Sequence, residues 1–465
     1  MEEKNQPKIV QTDAGAKDGQ HKCPKCGATD ISLNTNTTLL RCNFCRHEFA
    51  PEKVEGLETD ISKLEGQVIG SGAQDIVADV NEVLTFKCSS CAAEVVIDTA
   101  EVLQARCHWC RNTLSVNQQI PNGAVPDVVL PFKLKREEAQ AHIEKFVGSR
   151  KFFAHPLFKK EFCTQNVMGV YLPYMVVDIN AHAHLLGQGE KQVKKYTRGT
   201  GKDQKTYYDA DLYDLERDFE VVIEGLTVES SADKLNNKAS NKTNNVINSI
   251  MPFDTENSVK WNANYLKGYT SEKRDTNIAQ LSSLVQTQAK DISRFKANDT
   301  IKQYDRGVRW AKEELHVKGE QWKAAYLPVW LYSYFQKNKN LLHYVAVNAR
   351  TKETMGSVPI NYSKLFGVSA VIEVIGVILA IVTWPFLTGE EGEPYSLIFI
   401  TAGFIFWGLM YARYRNKGAR HHHEKETKAT MNNVQKVDKF VTKRTGLTKP
   451  RMEGANNMSV KGSTV

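Results

Sequence analysis

The sequence predicts an α+β chain of several units: two small cysteine-rich units at the N terminus, a central α+β domain with an internal duplication, and a C-terminal hairpin of two apolar helices. Three observations carry that prediction. Cysteine pairs recur at one spacing in two places, a Tyr-Leu-Pro segment followed by a β-rich run occurs twice in the middle, and two long apolar stretches lie close together near the end. A chain of 465 residues is also too long for one ordinary core and fits two or three folded units. Its 61 Lys and Arg against 53 Asp and Glu leave a net charge of +8, which favours acidic partners such as phospholipid surfaces, nucleic acid or acidic proteins without choosing among them.

Residues 1–20 are polar and acidic at the start and lack an apolar run, so they predict a disordered segment without a secretory leader, keeping the N-terminal half in the cytosol. In that reducing compartment cysteines at metal-ligand spacing bind metal rather than form disulfides. Eight of the nine cysteines form two sets, Cys23, Cys26, Cys42 and Cys45, then Cys88, Cys91, Cys107 and Cys110, each reading CxxC, fifteen residues, CxxC. Four thiolates complete a tetrahedron around zinc and leave no open position, so two structural zinc ions are expected. Between the pairs, "ISLNTNTTLLRC" and "EVVIDTAEVLQARC" each give two short strands joined by a polar turn, which defines a zinc ribbon over 21–52 and a second over 85–116. The first contains "CPKCG", in which Gly27 suits the backbone just after the metal turn; the second, "CSSCA", lacks both proline and glycine. An iron ion or cluster is the lesser reading of the same ligands. The ninth cysteine, Cys163, is an incidental or structural thiol.

Lys22, Lys25, Arg41, Phe44, Arg46 and His47 surround the first site, and Arg106, His108, Trp109 and Arg111 flank the second. Basic rims with aromatic side chains suit nucleic acid, but ribbons serve protein contacts at least as often, so a protein partner stands first. His47 and His108 adjoin complete four-cysteine sets and are bystanders. In the linker 53–84, Leu57, Ile61, Leu64 and Val68 recur at helical spacing, predicting a short amphipathic helix whose acidic polar face (Glu58, Asp60, Glu65) speaks against membrane binding.

The central domain is placed at 126–362. A helix is expected over Lys135–Val147, with Ala139, Ile143, Phe146 and Val147 on one face. "VYLPYMVVDINAHAHL" and "AYLPVWLYSYFQKNKN" predict two related buried strands, "HYVAVNARTKETMGSVP" a hairpin turning at Arg350 to Glu353, 230–249 a polar loop, and the run from Asp275 to Leu315 mostly helix. His182 and His184 alternate toward one strand face, with no third ligand placed beside them by the sequence. "RGTGKDQKT" is not a phosphate loop: Tyr196 stands where glycine is required and Asp203 follows Lys202. With no GxSxG or HExxH either, neither a nucleotide cofactor nor catalysis is expected.

The stretches 365–387 and 395–414 match the ~20 residues that cross a hydrocarbon core. Lys364 precedes them, Arg413, Arg415, Lys417 and Arg420 follow, and the loop between holds Glu390, Glu391 and Glu393, so both termini are expected in the cytoplasm and the protein in the cell membrane as a two-span chain. Glu373, inside the first span, must be protonated, paired or turned to water. Residues 415–465, including His421 to His423, are polar and basic and predict a disordered tail that can lie on anionic lipid.

Together, "CHWC", "GAVPDVVLPF", "GVYLPYMVVD" and "YLPVWLYSY" resemble a bacterial family of membrane-anchored tandem zinc-ribbon proteins, identified as transcription-factor-IIB-type zinc-ribbon proteins and often labelled helicase-like or phage-replication-like. The resemblance implies an adaptor at the membrane, with membrane-stress scaffolds of the phage-shock and flotillin-like kinds among its associates. The helicase label has no support in these residues, since the nucleotide motifs are absent.

Overall fold

The structure is a computed structural model that describes residues 7–12, 23–28, 31–34, 37, 39–54, 56–57, 60–75, 83–87, 94–98, 105–109, 113–114, 119–120, 126–199, 204–231, 247–261, 265, 269–272, 274–336, 339, 341–383, 399–416, 421–442 and 451–452. The N-terminal part supplies short strands: β1 (Lys8–Val10), β2 (Ile31–Asn34), β3 (Leu39–Cys42), β4 (Glu48–Phe49), β5 (Gly66–Gly70), β6 (Val83–Lys87), β7 (Glu94–Asp98), β8 (Ala105–Arg106), β9 (Thr113–Leu114), β10 (Gln119–Ile120) and β11 (Val128–Val129). There follow α1 (Arg136–Gly148), α2 (Pro156–Glu161), β12 (Met168–Arg198), β13 (Lys205–Glu229), β14 (Val259–Lys260), β15 (Thr270–Glu272), α3 (Ile278–Ala297) and β16 (Val308–Gln336). The chain ends with β17 (Leu341–Asn348), β18 (Thr354–Gly356), α4 (Tyr362–Thr383), α5 (Ala402–Asn416), α6 (His423–Glu426), β19 (Lys428–Thr442) and β20 (Arg451–Met452).

Two very long strands, β12 of 31 residues and β16 of 29, run antiparallel and form the spine. The two Tyr-Leu-Pro segments meet on it, Tyr171 opposite Pro328, Leu172 opposite Leu327 and Pro173 opposite Tyr326. Proline cannot donate to a ladder, and both prolines stand where the outer neighbour changes. Beyond β12, β15 pairs up to Tyr171 and β13 starts at Tyr174; beyond β16, β11 pairs up to Tyr326 and β17 starts at Val329.

Alternation along the spine builds two faces. Val170, Leu172, Tyr174 and Val176 join Ala325, Leu327, Val329 and Leu331 on one face, with Val54, Leu57, Leu64, Val68, Cys107 and Trp109 over them. On the other, Tyr171, Tyr326, Trp330 and Tyr332 pack with Ala139, Ile143, Phe146 and Val147 of α1, with Ile31 and Leu40 of β2 and β3, and with Leu365 and Tyr414 of α4 and α5. Farther along β12, Ile179, Ala181, Ala183 and Leu185 lie in one cluster with Leu281, Val285, Ala289 and Ile292 of α3. Each large side chain fully buried in these clusters contributes about 1.5–3 kcal/mol. At its start, α3 carries a capping box of Asn277 and Gln280.

Several sequence expectations are met and several corrected. The helix after Lys135 and the turn between Asn348 and Thr354 lie where expected. The linker is not a helix: Leu57, Leu64 and Val68 are buried as expected, but Gly66–Gly70 is a strand pairing in parallel with Gly319–Trp322 of β16. The close approach is possible because Gly319 has no side chain; a Cβ there would lie 2.3 Å from the Leu64 carbonyl oxygen. Residues 8–10, expected disordered, pair with β5. The helix expected to Leu315 ends at Ala297, where the period changes to two and β16 begins at Val308.

The tail, also expected disordered, returns as β19 alongside β13, with Ala429 buried and Asp438 paired to the fully buried Arg217. The second apolar stretch is described from residue 399 onward, its α-helix being the 15-residue α5. Among the described residues one helix, the 22-residue α4, has the length and composition to cross a membrane; residues 384–398, which include the start of the second expected span, lie outside the described residues. Most of the expected polar loop 230–249 lies outside the described residues.

Asp127 fastens the N-terminal segment to this frame. Thr12 Oγ1 donates to its Oδ1 at 2.7 Å, the Gly72 amide donates to the same oxygen at 2.7 Å, and the Ala324 amide of β16 donates to Oδ2 at 2.8 Å. Burial pushes the carboxyl up from 3.8 to about 6, although these donors pull the other way. The folded state therefore binds a proton between about pH 4 and 6 that the unfolded chain has lost, so this contribution is full below pH 4 and lost as pH rises through 6. Asp127→Ala leaves buried amides without an acceptor; we expect it to cost about 2–4 kcal/mol, seen as a lower thermal midpoint and faster proteolytic release of the N-terminal segment. Asp127→Asn should flatten the pH 4–6 component; an unchanged midpoint in the alanine variant would refute the fastening role.

Candidate metal centre

Cys23, Cys26, Cys42 and Cys45 converge, their four sulfurs lying within 4.8 Å of one another. Cys23 Sγ is 3.5 Å from Cys45 Sγ and Cys26 Sγ is 3.6 Å from Cys42 Sγ. A tetrahedron with metal–sulfur bonds of about 2.3 Å has edges of about 3.8 Å, so the donor set fits zinc. Two matched turns aim the sulfurs. The Gly27 amide donates to the Cys23 carbonyl at 2.8 Å and the Arg46 amide to the Cys42 carbonyl at 2.9 Å. Gly27 has φ +72° and Arg46 φ +60°, so the left-handed residue after each pair is a glycine in one turn and a strained arginine in the other. Strand pairing of Ile31 with Cys42 brings the second pair back beside the first.

The thiols cannot all ionise unaided. Burial opposes ionisation of Cys23, but amide hydrogen bonds from Lys25 and Cys26 draw it down to about 7. The Ala28 amide favours the Cys26 thiolate, yet burial and the sulfurs of Cys45, Cys42 and Cys23 push it up to about 12. A bound dication is what lets four such thiolates share one space. With all four corners taken, the site can staple the fold but offers no position for a substrate or an activated water.

Of the second set, Cys107 is described and fully buried; Cys88, Cys91 and Cys110 lie outside the described residues. The residues around Cys107 dock on the main sheet: Ser333 Oγ donates to the His108 carbonyl at 2.7 Å and the Trp109 ring meets Tyr344 at 5.2 Å, edge on. The β6–β7 hairpin extends that sheet through β15, Val96 opposite Ser271. His108 and Trp109, read from sequence as a basic rim, are thus buried packing groups. The first unit keeps its rim outside: Phe44, between two ligands, is 81% exposed, and Arg41 and Arg46 line an open groove with Ser32, Asn34 and Asn43.

The remaining candidates resolve into structural roles. Glu373 Oε2 accepts from the Gly403 amide at 2.8 Å, capping the first turn of α5. Gly403 lets the helices close up; a Cβ there would stand 2.4 Å from the Ser369 carbonyl oxygen. His182 lies between Glu220 (3.1 Å) and Asp218 (3.0 Å), and His184 bonds Glu216 at 2.8 Å. Burial works against the His182 cation, but the two carboxylates raise its pKa. The partners were legible: Glu216, Asp218 and Glu220 alternate on β13 just as His182 and His184 do on β12. His421 bonds Glu426 at 2.8 Å, and Cys163 is exposed. Among the described residues the first cysteine quartet is the one group that brings metal-ligand atoms together. Comparison of the chain with protein-family models, curated proteins and solved structures gave no match.

Two substitutions test this centre. Cys42→Ser should remove one equivalent of metal and expose the β2–β4 sheet to protease. Arg46→Gly relieves left-handed backbone strain of about 1 kcal/mol, so metal loss should require more chelator. Unchanged metal content in the serine variant would remove the quartet as a site.

Proposed function

We propose that the protein is a non-enzymatic membrane adaptor, in which zinc-stapled N-terminal ribbons present a recognition turn to a protein partner at the cytoplasmic face of the cell membrane. The observation that carries this reading is Phe44, a large aromatic side chain 81% exposed on a turn pinned by Cys42 and Cys45. Such rigid, exposed aromatics anchor protein interfaces. The donor set is closed, which favours recognition over catalysis. The resemblance to membrane-anchored zinc-ribbon proteins suggests a membrane-stress scaffold as the partner.

The two-span reading draws support from connectivity. The chain leaves the main sheet after β18 and rejoins it as β19, so a crossing by α4 requires a return crossing before Lys428. The return is assigned to the stretch that ends in α5, antiparallel to α4. That β1 and β19 belong to one sheet supports N- and C-terminal parts on one side. Reducing cytosol and the positive flanks of the hairpin make that side cytoplasmic. The second ribbon, with Cys88, Cys91, Cys107 and Cys110 as its expected ligands, brings the expected zinc content to two per chain.

A membrane-tethered nucleic-acid binder is the alternative, favoured by the groove that Arg41 and Arg46 line beside Phe44. Affinity capture of the full chain from solubilised membranes separates the two. On the adaptor reading Phe44→Ala keeps two zinc ions yet weakens partner capture by about thirtyfold or more, a hot-spot loss. Capture unaffected by Phe44→Ala and by Cys23→Ser would sink it. DNA or RNA binding that falls steeply with salt would instead select the alternative.

A further inference from the structure

At the foot of α4, cationic side chains gather without an anionic partner among the described residues. Lys364, in the first turn of the helix, and Lys159 of α2 both donate to the carbonyl oxygen of Phe152, at 3.1 Å and 3.3 Å. The Lys364 ammonium also lies 3.7 Å from the Phe152 ring centroid. Burial, with the charges of Lys364 and Lys151 nearby, lowers the pKa of Lys159. Close by, Arg413 near the end of α5 donates to the Ser149 carbonyl at 3.3 Å. Among the described residues no carboxylate forms an ion pair with Lys151, Lys159, Lys364 or Arg413, and the side-chain hydrogen bonds of Lys159, Lys364 and Arg413 go to backbone carbonyls.

Apolar side chains share this patch. Phe152 is 60% exposed and Leu157 53%, and one turn above Tyr362 the exposed face of α4 opens with Phe366 at 71%. The segment itself is firmly held: Phe153 and Phe158 are buried in one cluster with Leu365 and Tyr414, and the Phe153 amide donates to the Tyr414 hydroxyl at 2.9 Å. A rigid platform therefore sets ammonium groups beside exposed hydrocarbon, at the level where the apolar helix begins.

We propose that Lys151, Lys159 and Lys364, with Phe152 and Leu157, form a binding surface for anionic phospholipid, the lysines taking the headgroup phosphate and the apolar side chains lying against the upper acyl chains. Neither a nucleic acid nor a phosphopeptide explains why the cations adjoin Phe152, Leu157 and Phe366. An anionic lipid satisfies both halves, since each surface cation near such lipid contributes about 1 kcal/mol and apolar contact adds to it. This inference rests on the reading that α4 enters the membrane.

The test reconstitutes the full chain in phosphatidylcholine bilayers containing trace spin-labelled phosphatidylglycerol or spin-labelled phosphatidylcholine, and measures the motionally restricted lipid fraction by electron spin resonance. We expect an association constant for phosphatidylglycerol about threefold or more above that for phosphatidylcholine, falling toward equality at high salt. The triple change Lys151→Gln, Lys159→Gln and Lys364→Gln should abolish the excess, and the corresponding triple change to Arg should keep it. Equal association of both lipids with the unmodified chain would overturn the proposal, as would an excess that survives the Gln substitutions. The salt arm uses the unmodified chain and so holds even where the Gln variant misfolds. Absence of any restricted fraction for either lipid is a distinct result, and it would overturn membrane insertion itself.

Discussion

The antiparallel pairing of β12 with β16, running from Met168 opposite Leu331 to Gly189 opposite Val308, is the constraint on which the rest of the structure depends. A one-residue slip would exchange the two faces of each strand and move Val170, Leu172 and Tyr174 away from the cluster they share with Leu327 and Val329. The two prolines help to fix the register, because each can be tolerated only where the outer neighbour changes. Short strands that are too small to stand alone then take their geometry from this pair: β5 and β11 in parallel, β17 antiparallel, and the β6–β7 hairpin through β15. Asp127 adds a polar fastening, joining Thr12, Gly72 and Ala324 at one buried carboxylate.

Each face of the spine serves a different end of the proposed adaptor. One face receives the linker and the Cys107–Trp109 segment, whose Cys107 and Trp109 are part of the core. The other holds, in one apolar cluster, Ile31 and Leu40 from the first four-cysteine unit and Leu365 and Tyr414 from the feet of α4 and α5. The exposed Phe44 turn is thus mounted, through its unit's buried strand residues, on the same body that grips the apolar helices. A metal held by the four sulfurs would fix the turns, while Ile31 and Leu40 fix the unit to the sheet.

Legibility in the sequence followed the range of the interactions. The cysteine quartet and the left-handed position at Gly27 are set by a few neighbouring residues, and α1 by four apolar positions at helical spacing; all were readable. The linker failed because buried residues at 57, 64 and 68 match a helical period by accident, while the actual partner of Val68 is Gln321, far away in sequence. The tail failed for a like reason. Its polar composition says nothing of the unpaired edge of β13 that waits for it, nor of Arg217, a buried guanidinium that needs Asp438. Glu373 stood out as a carboxyl within an apolar stretch, but its hydrogen bond from the Gly403 amide is something composition cannot reveal. The acidic companions of His182 and His184 were present as an alternating pattern on β13 and were missed because the two strands had not been paired.

The account stands on the first four-cysteine unit being fixed to the body that holds α4 and α5. Pulsed electron resonance between nitroxide labels placed at Phe44 and Phe366 by unnatural amino-acid incorporation, in the reconstituted full chain, measures that directly. A single narrow distance distribution that broadens when a chelator strips the metal is the predicted result. A broad distribution with the metal in place would describe a unit on a loose tether and would contradict the account.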